Sequence, residues 1–291
     1  MPGAPEPAEL VKINRDDLHV YNGPEVILPM QGWFGKSFLF PYSPPSAAVK
    51  PVFVGYHLTS GNKTRELLVE NGHLEYFKQH EPIGCRDFST RDWFLSQGVN
   101  AYFSGCNTLT LPRREKMPEN GKIYLVDVDN EWMPLIPQEI RKVAVRKTHR
   151  CWLKAYPPRR EECLLQEDET RELLRTYRET AKLIITPRIH CAMPCLAMGI
   201  PVVFLCRNAD DERFSVTKHF LHAWVPSEAA EVNWNPEPLE FENLKKVMIR
   251  NAVRRMEAVG NGNALSAQES QSLIDAVQQA FADVKARYIS E

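Results

Sequence analysis

The run Leu183-Ile184-Ile185-Thr186-Pro187-Arg188-Ile189-His190-Cys191-Ala192-Met193-Pro194-Cys195-Leu196-Ala197-Met198-Gly199-Ile200-Pro201-Val202-Val203-Phe204-Leu205 constrains the fold more than any other part of the chain. Two short apolar segments flank a stretch of helical length, and the charged and imidazole groups occur only at the first turn. Pro187 cannot donate to a ladder, so the first strand ends near Thr186 and leaves Arg188 and His190 at its carboxyl end. Gly199 and Pro201 close the following helix as cap and breaker, and 202–205 is a wholly apolar second strand, as expected of a strand buried on both faces. The run predicts a βαβ unit in a parallel sheet. Such sheets bind ligands beyond the carboxyl ends of their strands, where helix N-termini present free N–H groups. A guanidinium and an imidazole placed there suit an anion.

The rest of the composition narrows what that anion could be part of. A chain of 291 residues, 43% of them hydrophobic, can build one large core or two ordinary ones. A net charge of −1 supplies no broad basic field, so nucleic acid is not an expected partner and any anion site must be local. Seven cysteines, an odd number with no C-x-x-C pair, fit a reducing compartment better than a disulfide framework or a zinc site. The first ten residues have no basic and apolar regions of a leader, and no run approaches the roughly 18 apolar residues of a membrane span. The expectation is a cytoplasmic protein without a transmembrane segment.

Along the chain, residues 1–12 read as a loose tail and 26–28 as the first strand. The turn-rich stretches around Trp33 and at 40–45 carry large aromatics, which either fold back over their own core or offer Trp33 as a platform for the C–H face of a sugar ring. A strand at 51–57 ends on His57, followed by a helix at 63–70. A lone histidine in that place is more often structural than chemical, so His57 ranks second. The segment Glu81-Pro82-Ile83-Gly84-Cys85-Arg86-Asp87 repeats the central arrangement: a short strand ends on Arg86 and Asp87 before a helix at 89–97, with Ser89 and Asp92 resembling a capping box. A strand at 100–103 delivers Ser104-Gly105-Cys106-Asn107-Thr108, a small-residue loop whose backbone N–H groups can hold an anion or hydroxyls, with tight packing an equal explanation of the small residues.

After a strand at 122–126 the texture changes, with Asn130, Pro134 and Pro137 interrupting the periodicity. This places a boundary between an N-terminal α/β domain, 13–130, and a C-terminal one, 138–260, the latter opening at 143–146 and containing a helix at 170–182. The cluster at 159–162 reads as solvated charge. The charged loop after 205 carries Arg213, which either reaches the same cleft as Arg188 or pairs with Asp210 or Asp211. Amphipathic packing helices at 239–257 and 267–288 end the chain, the second capped by Ser266 with Glu269, so 265–291 forms a C-terminal helix.

An arginine at a strand end in each half places the ligand between two Rossmann-like domains that face a cleft. Arg86, Arg188, His190 and Arg213 suit a small molecule with more than one negative group, because guanidinium forks match carboxylate and phosphate oxygens. The chain has no G-x-G-x-x-G and no Walker sequence, which disfavours a nucleotide donor. This reading finds no H-x-x-x-H and no Cys/His cluster either, so no metal and no cofactor are expected.

Three phrases then carry a resemblance. Glu81-Pro82-Ile83-Gly84-Cys85-Arg86-Asp87, Tyr102-Phe103-Ser104-Gly105-Cys106-Asn107-Thr108-Leu109-Thr110-Leu111, and Ile185-Thr186-Pro187-Arg188-Ile189-His190-Cys191-Ala192 leading to Gly199-Ile200-Pro201-Val202-Val203, occur in the order in which similar phrases stand in the polysaccharide pyruvyl transferase family. The resemblance covers most of 26–225. It implies a two-domain fold similar to the glycosyltransferase-B type, with an acceptor side in the N-terminal domain and a donor side in the C-terminal one. The implied reaction moves a pyruvyl group from phosphoenolpyruvate to sugar hydroxyls, usually as a ketal, in surface or exopolysaccharide biosynthesis. Phosphoenolpyruvate is then a donor substrate, and a lipid-linked saccharide acceptor would be met at the inner face of the membrane.

The family's basic donor-binding positions fall on Arg86 and on the Arg188 and His190 pair. His190, Arg188 and Asp87 are then the expected catalytic residues, with Arg86, Arg213, His57, Asn107, Thr108 and Trp33 binding substrate. Many members begin with a glycine-rich strand and loop ahead of the first matched region, and a shortened N-terminal domain is expected here. Ile189 replaces the usual leucine conservatively. A nucleotide-sugar glycosyltransferase on a similar scaffold, and a lectin-like anion-binding module, stand as alternatives.

Overall fold

The computed structural model describes residues 22–30, 33–34, 45–59, 64–70, 72–149 and 160–289, with 33–34 and 160–167 as backbone alone. The tail at 1–12, the aromatic loop at 35–44 and the side chains of Trp33 and of the charge cluster at 159–162 lie outside the described residues.

The first half of the chain is built on short parallel pairings. Strand β1 (Val26–Met30) and β2 (Trp33–Phe34) pair with β3 (Val49–Phe53) and β4 (His57–Leu58), and β5 (Ile83–Cys85) pairs with β6 (Ala101–Phe103). The ladder is interrupted between β3 and β4 at Gly55, whose φ of +73° no side chain adopts readily and whose amide instead donates to Ser104 Oγ at 2.8 Å. A parallel bridge from Tyr56 to Cys85 then joins this ribbon to β5. Helices α1 (Thr64–Glu70), α2 (Leu74–Lys78) and α3 (Phe88–Ser96) connect the strands, and Phe53, Tyr56, Phe77 and Phe94 form an aromatic core beneath them. The cap of α3 is Asp87, which accepts from the Thr90 amide at 2.8 Å, rather than the expected Ser89 and Asp92. The helix starts one residue earlier than its sequence suggests because an aspartate with extended backbone sits directly after β5.

The second half holds one five-stranded parallel sheet. Its members are β7 (Lys122–Val126), β8 (Val145–Lys147), β9 (Ala181–Thr186), β10 (Val202–Leu205) and β11 (Ala223–Trp224), laid out in the order β8-β7-β9-β10-β11. The expected domain boundary between 130 and 138 therefore cuts behind β7, which is inner to this sheet and pairs with both β8 and β9. The stretch read as a linker is instead part of the core: Trp132 is fully buried and donates from its indole nitrogen to the Cys206 carbonyl at 3.0 Å, followed by α4 (Gln138–Val143). Helix α5 (Arg160–Thr180) begins ten residues earlier and ends two earlier than expected, since Ala181 and Lys182 already belong to β9.

The central run folds as its pattern requires. Strand β9 sends Ile184 to one face, among Tyr124, Phe204 and the helices, and Leu183 and Ile185 to the other, among Leu125, Val203 and Trp132. Both faces are covered, which is why the strand carries no polar alternation. Helix α6 (Ile189–Ala197) is buried from Cys191 onward, and a fully buried leucine such as Leu196 contributes about 1.5–3 kcal/mol. Pro194 lies inside it and removes the N–H that would bond the His190 carbonyl. Gly199, at φ +71°, reverses the chain into β10.

Helices α7 (Glu242–Gly260) and α8 (Ala267–Tyr288) pack on each other and return to the first half. Helix α7 lies against β1 and β3, and Asn251 donates to the Tyr102 hydroxyl at 2.8 Å. Among the described residues no helix is long and apolar enough to cross a membrane.

Candidate active site

The order β8-β7-β9-β10-β11 is that of a doubly wound sheet whose connections leave in opposite directions from two neighbouring strands, here β7 and β9. The carboxyl ends of those two strands are joined by a side chain. Thr186 Oγ1 donates to the Val126 carbonyl at 3.0 Å and accepts from the Arg188 amide at 3.1 Å. Arg188 takes the N-cap position of α6, and the free N–H groups of that first turn favour negative charge. The Arg188 guanidinium forms an ion pair through Nε with Asp127, the residue after β7.

His190, in the first turn of α6, opens to the cleft on one side and meets Arg86 on the other. Arg86 Nη1 lies 3.1 Å from His190 Nε2, across 104 positions of sequence. Burial lowers the His190 pKa first, and the charges of Arg86, His57, Arg188 and His149 lower it further, to about 4. Solvent reaches the ring from one side, but burial and the cationic neighbours act in the same direction. His190 is neutral at pH 7 in the unliganded protein.

Beneath Arg86, itself buried, lies a second layer. His57 Nδ1 donates to Asp87 Oδ2 at 2.5 Å, and both residues are fully buried. Burial would raise the Asp87 pKa, but the His57 hydrogen bond and charge and the Thr90 amide outweigh it and hold the carboxyl below its usual range. Burial lowers the His57 pKa, against the Asp87 hydrogen bond that raises it. The pair is thus an ionised carboxylate and a neutral imidazole, whose Nε2 is buried without a hydrogen-bond partner. Arg86 Nε stands 3.8 Å from Asp87 Oδ2.

The cleft above these layers has a volume of about 860 Å³. Its polar wall includes Arg86, Arg188, His190 and Arg213 and continues through Lys147 and His149, while Leu173, Leu174 and Phe214 supply apolar surface. The loop carrying Arg213 is fastened to the start of α3: Ser89 Oγ donates to Glu212 Oε2 at 2.5 Å, and the Phe88 amide to Ser215 Oγ at 3.2 Å. Both readings of Arg213 hold at once, since it lines the cleft and forks onto Asp211 at 2.9 Å and 2.5 Å.

The structure brings together Arg86, Arg188, His190 and Arg213. Asp87 and His57 stand below the cleft and line none of it, so their expected direct contact with substrate is replaced by support of Arg86. Asn107 and Thr108 are also off the cleft wall: Asn107 donates to the Val54 carbonyl at 3.1 Å and Thr108 Oγ1 lies 3.1 Å from Cys106 Sγ, contacts that shape their own loop. The backbone of Trp33 pairs with His57, and its side chain lies outside the described residues.

Sequence reasoning missed Asp127, Lys147 and His149. One signal was available, because Asp127-Val128-Asp129 is a D-x-D sequence at a strand end. Its carboxylates are engaged with Arg188 and with Arg207, the latter at 3.0 Å. Among the described residues no group of three His, Cys, Asp or Glu side chains is arranged to hold a metal.

No curated protein and no solved structure matches the chain. The family model for polysaccharide pyruvyl transferase matches residues 30–207, which includes both β-strand ends that carry Arg86 and Arg188 and most of the cleft wall. With more than half of its length matched, the chain belongs to the polysaccharide pyruvyl transferase family.

Proposed function

We propose that the protein transfers the pyruvyl group of phosphoenolpyruvate to two hydroxyls of a saccharide, forming a ketal during surface or exopolysaccharide synthesis. The observation that carries this reading is the convergence of Arg86, Arg188, His190 and Arg213 on one cleft in a chain of this family. A three-carbon phospho-acid presents a carboxylate and a phosphate close together, and two guanidinium groups from separate strand ends match that charge pattern. The volume of about 860 Å³ leaves room beside it for a sugar. The apolar surface of Leu173, Leu174 and Phe214 suits the C–H face of such a ring.

Protonation of the enol C3 makes C2 electrophilic, and a sugar hydroxyl adds to C2 and gives up its proton. Breaking the bond from C2 to the ester oxygen releases phosphate, and the second hydroxyl closes the ketal with loss of its proton. One of the two hydroxyl protons balances the one taken up at C3 and the other leaves on phosphate. Arg86 and Arg188 stabilise the charge on the leaving phosphate and fix the carboxylate. His190 carries protons, since its ring is the only titratable side chain that both lines the cleft and touches Arg86 among the described residues. On this reading the N-terminal half serves the acceptor and the C-terminal half the donor, as in a glycosyltransferase-B-like pair of domains.

The test is phosphate release from phosphoenolpyruvate with a panel of saccharide acceptors, wild type against Arg188→Ala and His190→Ala. Acceptor-dependent release that both substitutions abolish is expected. Unimpaired turnover in both would remove the assignment. A UDP- or GDP-sugar that raises the melting temperature where phosphoenolpyruvate does not would turn the reading toward glycosyl transfer.

A further inference from the structure

Asp127 is the only non-glycine residue with a positive φ, +50°, among the described residues. Aspartate tolerates this left-handed region better than most side chains, and the conformation here is held by contacts on every polar atom of the residue's acid group and amide. Oδ1 accepts from Thr148 Oγ1 at 2.7 Å, Oδ2 accepts from the His149 amide at 2.9 Å, and the Asp127 amide donates to the Lys147 carbonyl at 3.1 Å. The same carboxylate pairs with Nε of Arg188, whose η nitrogens make no hydrogen bond among the described residues. His149 is held at its far end by the Tyr177 hydroxyl, 2.9 Å from Nε2. One residue thus ties the start of α6 to the end of β8, at the point where the connections from β7 and β9 diverge.

We infer that Asp127 is a positioning residue for the donor anion: it fixes the ε edge of Arg188 against the β8 turn so that the η nitrogens remain free to grip the ligand from the cleft wall. This rests on the reading of the cleft as a phosphoenolpyruvate site. A carboxylate beside an anion site is repulsive by itself, so orientation and repulsion predict opposite signs when the charge is removed. Loss of mere repulsion would tighten donor binding. Loss of positioning would weaken it.

The experiment is steady-state kinetics of Asp127→Asn with two substrates. The KM for phosphoenolpyruvate is expected to rise about tenfold, with kcat within about threefold of wild type and the acceptor KM unchanged. A lower or unchanged donor KM would overturn the inference, and so would a fall in kcat alone, which is what partial misfolding gives. Should that variant not fold, Thr148→Val loosens the carboxylate while keeping its charge, and a smaller donor KM increase in the same direction is expected; no increase overturns the proposal.

A second arm needs no substrate. Phenylglyoxal labelling followed by peptide mass spectrometry is expected to modify Arg188 several-fold faster in Asp127→Asn, with Arg213 unchanged as the internal reference. Equal rates at Arg188 would overturn the positioning role. Faster labelling in a protein that shows no turnover of phosphoenolpyruvate would instead leave the pairing intact and remove the donor assignment.

Discussion

Arg86 Nη1 and His190 Nε2 stand 3.1 Å apart, and because a guanidinium nitrogen can only donate, the imidazole nitrogen must accept. His190 therefore waits as the neutral Nδ1–H tautomer, in agreement with a pKa lowered to about 4 by burial and by the cations around it. A dianionic donor entering between Arg86 and Arg188 offsets those charges, so the His190 pKa rises on binding and a proton is taken up. Uptake of about one proton is expected at a pH between the free and bound pKa values, with affinity falling as pH rises through the bound value. Calorimetry of phosphoenolpyruvate binding in buffers of different ionisation enthalpy measures this number. Uptake persisting in His190→Gln would assign it elsewhere.

The layer under Arg86 gives a separable stability prediction. Asp87→Asn retains an oxygen that can cap α3 but removes the charge that receives His57 Nδ1, whereas Asp87→Ala loses cap and partner together. Removing the charged acceptor of a buried hydrogen bond costs about 1.5–3 kcal/mol, and losing a cap about 0.5–2 kcal/mol. Urea unfolding should rank wild type, then the asparagine variant, then the alanine variant. Equal stability of all three would mean that the dyad carries no structural role.

What the sequence made legible was set by local rules. Strand ends marked by Pro187, Arg188, Arg86 and Asp87 could be read because buried parallel strands are apolar and stop at breakers, and three of the four cleft groups followed from that alone. Legibility failed where long-range pairing decides. Membership of β7 in the second sheet depends on its register with β9, which no local pattern encodes. Asp127 reads as one more acidic residue in a turn until Arg188, 61 positions later, is brought against it. His57 ends a strand and so ranked second as a candidate, yet it is completely buried and lines none of the cleft.

Gly105 joins the loop after β6 to the last helix, and its substitution tests that joint. Its φ is +73°, and a Cβ there would stand 2.2 Å from Cζ of Phe281, whose ring is held by Phe103, His219 and Phe220. Gly72 has a similar φ of +70°, and a methyl group added there would meet nothing within 4 Å. Gly72→Ala should therefore lose only about 1 kcal/mol for the left-handed backbone, and Gly105→Ala a further 1–3 kcal/mol or so for overpacking. Phe281→Ala in the Gly105→Ala background relieves the clash, so a double-mutant cycle by chemical unfolding is expected to show a coupling of the two sites. Additive losses would place the cost in the backbone alone.

Acid sensitivity follows from the histidines as a set. His57, His73, His80, His149, His190 and His219 all have pKa values lowered from 6.5, with burial the largest cause in each. The unfolded chain then binds more protons than the native one below about pH 6.5. For groups whose folded pKa is depressed, stability is full above the unfolded value and is lost as pH falls toward the folded value, so the melting temperature should decline from about pH 6.5 toward pH 4. Asp87 and Asp127, held below the usual carboxylate range, keep their contributions over that window and lose them only at lower pH, which separates the two effects. Replacing His190, whose value falls to about 4, by glutamine should flatten the decline. Melting curves across this pH range decide the matter: a temperature independent of pH from 6.5 to 4 would mean that these rings already accept protons in the native state.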